Sequence, residues 1–189
     1  MEAAERWTTG NLRISIYADE DAGDPRKEWD NAAVLVCWHR RYTLGDRQPT
    51  DQEKAAIRRG GFDLLSRYLR RTIGAVAVLP LGLLDHSGIT MYVGGGPHWT
   101  DTAGWDSGTV GFAYITKTVV EKEGIPEPEA CIRGEVAEYD QYLMGDVWGY
   151  VIEDKDRDND HLDSCWGFYG FDECKREAEG IAEGLLAAV

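Results

Sequence analysis

Cys37 and His39 stand at alternate positions of an apolar run, so a strand there would turn both side chains to one side. Asp85, His86 and His98 follow farther along the chain. Thiolate, imidazole and carboxylate are the groups that ligate zinc, and a thiol beside a base is the pair that covalent catalysis uses. This set is therefore the candidate metal or nucleophilic site. Its spacing does not require the members to meet, and satisfied structural histidines are the simpler reading. Ser87 beside His86 adds little, because a triad is defined by geometry and not by adjacency. The four cysteines, Cys37, Cys131, Cys165 and Cys174, show no paired-cysteine spacing, and a reduced thiol in an apolar stretch packs as a small hydrophobe.

Two further patterns fall short of the chemistry they suggest. Asp154, Asp156 and Asp158 alternate as the first ligands of a calcium loop do, but Asn159 stands where that loop needs glycine and Cys165 where it needs glutamate. A solvated hairpin tip is expected instead. Gly94-Gly95-Gly96 lacks the lysine and hydroxyl residue of a phosphate loop, which leaves a turn. No motif names a reaction.

Tryptophan recurs beside acids and small residues, in Glu28-Trp29-Asp30-Asn31, Gly104-Trp105-Asp106-Ser107-Gly108, Gly145-Asp146-Val147-Trp148-Gly149-Tyr150 and Asp163-Ser164-Cys165-Trp166-Gly167-Phe168. A buried indole N–H needs an acceptor, and a neighbouring carboxylate supplies one. These blocks read either as core tryptophans tied down at strand ends or as one aromatic and acidic recognition surface that includes Trp105, Trp148 and Trp166.

The elements that would position these residues follow from periodicity. Leu12 to Tyr17 alternates as a half-buried strand, and the acidic stretch from Asp19 to Lys27 reads as a loop. Ala32 to Trp38 is a strand or a helix segment. Thr50-Asp51-Gln52-Glu53 has the form of a capping box opening a helix to about Thr72, weakened at Gly60-Gly61. Strands are expected over 75–79, 90–93 and 109–116, and a helix from Pro126–Glu129 to Met144 with Ala130, Ile132, Val136, Tyr139 and Leu143 on its apolar face. Strands at 147–152 and 162–168 would flank the acidic hairpin. A last helix begins near Asp172, with Cys174, Ala178, Ile181, Ala182, Leu185 and Val189 on one stripe. Together they predict a single α+β domain over residues 1–189, a largely antiparallel sheet with about three helices packed on it.

Charge adds the clearest functional pointer. Of the 34 acids and 20 bases, residues 121–189 hold 19 acids and 6 bases, a net of −13, whereas residues 1–120 balance to −1. Such a surface repels nucleic acid and anionic membranes and attracts basic surfaces. No run is apolar enough to span a membrane and the N-terminus lacks a signal-peptide plan, so a cytoplasmic protein without direct nucleic-acid or membrane binding is expected. The residues assigned to docking are Glu135, Glu138, Asp140, Asp146, Asp154, Asp156, Asp158, Asp160 and Asp163, with the three tryptophans above. A second grouping, of bases at Arg40, Arg41, Arg47, Lys54, Arg58, Arg59, Arg67, Arg70 and Arg71, carries the opposite sign; it reads most simply as a solvated helix face, with intramolecular neutralisation or head-to-tail self-association as the alternatives.

Several blocks, Glu28-Trp29-Asp30-Asn31, Cys37-Trp38-His39-Arg40-Arg41-Tyr42-Thr43-Leu44-Gly45-Asp46, Asp85-His86-Ser87-Gly88-Ile89-Thr90, Trp105-Asp106-Ser107-Gly108, Glu138-Tyr139-Asp140-Gln141-Tyr142-Leu143 and Asp163-Ser164-Cys165-Trp166-Gly167-Phe168-Tyr169-Gly170, resemble those of an uncharacterised family found in phages and mobile elements. The likeness runs from about residue 28 to 170 and supplies a setting rather than a mechanism. It implies an acidic counter-defence inhibitor that occludes a basic surface of a host or defence complex, in the manner of a nucleic-acid mimic. The expectation is thus a non-enzymatic binding protein without cofactor or metal. The alternative is a small enzyme or zinc protein using Cys37, His39, Asp85 and His86.

Overall fold

The computed structural model describes residues 2–187. In chain order the elements are β1 (Glu5–Thr9), β2 (Leu12–Ala18), α1 (Pro25–Glu28), β3 (Val34–Cys37), α2 (Asp51–Thr72), β4 (Ala75–Asp85) and β5 (Ile89–Val93). They continue with β6 (Ser107–Thr116), α3 (Lys117–Glu123), α4 (Pro128–Met144), β7 (Val147–Asp154), β8 (Asp160–Tyr169) and α5 (Phe171–Ala187). The fold is α+β, with two antiparallel four-stranded sheets where the sequence pattern led us to expect one. The chain forms two compact units: a terminal unit of residues 1–23 and 141–189, and a central unit of residues 24–140. Among the described residues no helix is long and apolar enough to cross a membrane.

In the terminal unit the strand order is β1-β2-β7-β8. Ile14 pairs with Ile152 and Ile16 with Tyr150, which puts these side chains on one face. Cys174, Ala178 and Ala182, spaced at i, i+4 and i+8 along α5, close over that face and over Leu12. Val189, the last residue assigned to this stripe, lies outside the described residues. The acidic hairpin is a real connection: Asp154 pairs with Asp160 across β7 and β8, and the turn between them places Asp158 and Asn159 at φ 58° and 61°. Asp and Asn are the non-glycine residues that tolerate this left-handed conformation best.

The central unit has the order β3-β6-β4-β5. Val36 pairs with Phe112, and Tyr114 with Val78, and this face is covered by Ala56, Leu65 and Leu69 of α2. Leu35, Ala113 and Leu79 alternate onto the other face and are equally buried. There α4 lies across the sheet: Glu135 bonds the backbone leading into β3 at one edge, and Asp140 accepts from Met91 N in β5 at the other. Ile132, Val136 and Tyr139 form its buried stripe. The expected capping box is present, with Thr50 Oγ1 accepting from Glu53 N and Glu53 accepting from Thr50 N. Gly60 and Gly61 leave helical geometry and kink α2, as their low helix propensity suggests.

Candidate functional site

Two loops of the central unit, 38–50 between β3 and α2 and 94–106 between β5 and β6, come together around a groove of about 530 Å³. The first loop contributes His39, Arg40 and Arg41, the second Trp105 and Asp106, and the β4–β6 ladder contributes Leu83, Asp85 and residues 107–110.

Local chemistry fixes each wall. His39 stacks on Tyr42 at 5.0 Å between ring centres, and its Nδ1 accepts from Arg41 N and Tyr42 N at 3.3 Å each. Asp85 holds the Arg41 guanidinium and accepts from Tyr42 Oη at 3.3 Å. On the other side Asp101 accepts from Asp106 N at 2.9 Å and from Ser107 Oγ at 2.8 Å, while His98 N donates to Ser107 Oγ. These bonds to Asp101, that from Ser107 foremost, lower the pKa of its carboxyl from the usual value. His86 Nδ1 lies 2.9 Å from Asp106 Oδ2.

The candidate metal or nucleophilic set separates on this frame. His39 and Asp85 share the groove, but Cys37 is fully buried, its Sγ 2.9 Å from where a Cβ on Gly45 would sit. The expected alternation of Cys37 with His39 stops because β3 ends at Cys37 and the chain leaves the strand there. Burial pushes the Cys37 thiol up to about 12, so it is protonated and unreactive at neutral pH. His98 packs edge-on against Tyr92 and contacts Thr100 Oγ1 at 2.7 Å. Among the described residues no group of three or more His, Cys, Asp or Glu is placed to hold a metal ion. All four cysteines are free thiols.

The nine acids assigned to docking divide by role. Glu135 is bound to Arg26 at 2.7 Å and accepts from Ala32 N and Ala33 N. Asp140 is spent on Met91 N at 2.6 Å, and burial keeps its carboxyl above the usual range despite that bond. Asp146 accepts from Trp148 Nε1 at 2.5 Å, and Asp163 from Tyr150 Oη at 3.1 Å. Asp154 is buried at the hairpin base, accepting from Asn11 Nδ2 and Asp156 N. Glu138 is exposed on α4, where packing around the carboxyl and the charge of Glu135 raise its pKa. Asp156, Asp158 and Asp160 are exposed at the hairpin.

The tryptophans divide likewise. Trp148 is tied to Asp146 and set edge-on to Phe171, Trp166 covers Gly149 beside Tyr17 and is half-exposed, and Trp105 is 87% exposed. The acids that sequence reasoning passed over are those of α5, where Asp172, Glu173, Glu177, Glu179 and Glu183 are all exposed. Their signal was legible, since they fill the positions that the apolar stripe leaves free. Arg40 belongs to the basic grouping and to the block from Cys37 to Asp46, and nothing in its spacing ties it to Trp105. No known protein family, curated protein or solved structure matches the chain.

Proposed function

We propose that the protein is a non-enzymatic binding protein whose terminal unit docks on a basic surface of a macromolecular partner. The observation that carries this reading is the charge of that unit: 17 acids against 6 bases, a net of −11, with Asp156, Asp158 and Asp160 at the hairpin and the acids of α5 exposed. One-signed exposed charge speeds encounter with an oppositely charged surface and makes the complex sensitive to salt. The resemblance to phage and mobile-element proteins points to a host or defence complex as that partner, and to occlusion of its nucleic-acid channel as the effect.

The test is affinity capture from a host lysate at low and high salt, with wild type beside the variant Asp156→Lys, Asp158→Lys, Asp160→Lys and Glu173→Lys. A specific protein retained at low salt, released at high salt and lost with the reversed charges supports docking. Capture that is indifferent to the four reversals ends it.

A further inference from the structure

We propose that the groove of the central unit binds a small ligand that combines a planar ring with one anionic group, a nucleoside monophosphate being the simplest member of that class. Three observations carry this. The first is Trp105, whose indole lines the groove yet is 87% exposed. A large apolar ring left in water forgoes the stabilisation that burial gives, and such residues mark binding surfaces when the backbone holds them in place. Here the backbone does: Asp101 accepts from Trp105 N at 3.2 Å and from Asp106 N at 2.9 Å, and Tyr92 Oη donates to Gly96 O at 2.6 Å at the start of the loop. The loop backbone is thus held before a ligand arrives, and the ordering left to binding is that of the indole side chain itself.

The second observation is a cation without a partner among the described residues. The carboxylates around the groove are each engaged: Asp85 with Arg41 and Tyr42, Asp106 with His86, and Asp101 with its own loop. Arg40 lines the same groove and makes no ion pair or hydrogen bond among the described residues. An exposed guanidinium lining the same groove as an exposed aromatic ring is suited to a phosphate or carboxylate at one end of a stacked ring. Third, the volume of about 530 Å³ falls in the range of small-molecule pockets. A nucleic-acid strand is disfavoured, because the central unit carries a net −3 and the whole chain −14, which repel a polyanion far more than a single phosphate.

The experiment is a titration of the full chain followed by the indole N–H signals in a proton–nitrogen correlation spectrum, with Trp105 assigned by its loss in Trp105→Phe. The probes are AMP and GMP (ring and anion), adenosine (ring only), ribose 5-phosphate (anion without an aromatic ring) and inorganic phosphate. At least one nucleotide should shift the Trp105 signal and bind roughly tenfold more tightly than adenosine or ribose 5-phosphate. Trp105→Ala should reduce nucleotide affinity to that of ribose 5-phosphate, and Arg40→Ala to that of adenosine. Both side chains are exposed, so neither change threatens the fold, and unchanged thermal melting confirms that. A Trp105 signal that moves with neither nucleotide overturns the proposal, as does equal binding of AMP, ribose 5-phosphate and inorganic phosphate. The reversals of Asp156, Asp158, Asp160 and Glu173 lie in the terminal unit, so loss of docking and loss of ligand binding can be told apart.

Discussion

The two units hold the same number of acids, 17 each, and use them in opposite ways. The central unit has 14 bases for its 17 acids and turns several pairs inward: Arg26 with Asp46 and Glu135, and Arg47 with Glu53. The terminal unit has only 6 bases, closes an apolar interior over Ile14, Ile16 and Ile152, and leaves most of its charge on the surface. The same residue type is architectural in one unit and available to a partner in the other. A count of acids along the chain does not see this, because residues 121–140, counted with the acidic third, belong to the central unit, where Glu135 and Asp140 are structural.

The sharpest way to break that comparison is at Arg26. Its side chain is 2% exposed and donates to Asp46 at 2.9 and 2.7 Å, to Glu135 and Asn31 at 2.7 Å and to Ala33 O at 2.7 Å. Burial alone would lower its pKa, but the bonds to Asp46 and Glu135 outweigh it and the pKa stands raised. Removing the cation leaves two carboxylates facing each other with their desolvation uncompensated. Arg26→Ala should therefore cost about 3–5 kcal/mol in chemical denaturation, and Arg26→Lys less, since lysine keeps the charge without the fork. A loss below about 1 kcal/mol for alanine would mean that the inward pairs are ornaments and that the units do not differ in this respect.

Glycines offer a matched pair, one in each sheet. A Cβ on Gly111 would overlap Val36 O and press on Cys37 Sγ at 3.1 Å, and backbone cannot step aside. A Cβ on Gly149 would overlap the Trp166 ring, which is 42% exposed and can swing into solvent. We expect Gly111→Ala to cost about 3 kcal/mol and Gly149→Ala about 1 kcal/mol in denaturant unfolding. Equal costs would show the outer face of the terminal sheet to be as rigid as the middle of the central one.

Much of this architecture was readable in advance, and the limits have physical causes. The Thr50–Glu53 box, the weak point at Gly60-Gly61, the α5 stripe and the hairpin at 154–160 are local, and their signals lie within a few residues. The division into two sheets was not readable, because it depends on β2 pairing with β7 across more than a hundred residues while β3 pairs with β6. β1 and α3 escaped notice because Glu5–Thr9 and Lys117–Glu123 are too short and too polar to show a period. The groove combines both cases: Trp105 stood out by type, whereas its proximity to Arg40 exists only through the β4–β6 ladder and the loops that flank it.

Smaller effects test the electrostatics of each unit. Asp140 has a raised pKa through burial, so its folded form holds a proton more tightly than the unfolded chain does. The stability it contributes is therefore present at low pH and falls as pH rises above the ordinary 3.8 and through the raised value. Glu53 behaves in the opposite sense. Burial raises its pKa, but bonds from Arg47 and Thr50 lower it further, and the stability it gives above the ordinary 4.5 is lost as pH falls through the depressed value. Asp140→Asn keeps an oxygen for Met91 N and removes the charge. It should be neutral or stabilising by under about 1 kcal/mol at pH 7, and should flatten the decline of stability above pH 4. Destabilisation by more than that would show the ionised form to be the one the fold selects.

The smallest effect on stability is the most informative about function. Asp156, Asp158 and Asp160 lie exposed at the hairpin of a unit that already carries a net −11, so their mutual repulsion is relieved when they are neutralised. Asp156→Asn, Asp158→Asn and Asp160→Asn together should change unfolding free energy by no more than about 0.5 kcal/mol, with any change being stabilising and fading as salt is added. Residues kept by the fold for its own sake behave like Asp154, which is buried a few positions away and bonded to Asn11. Asp154→Asn is the internal control and should destabilise measurably. If the three exposed acids cost as much as Asp154, the hairpin charge is structural, and the terminal unit resembles the central one more closely than its base count implies.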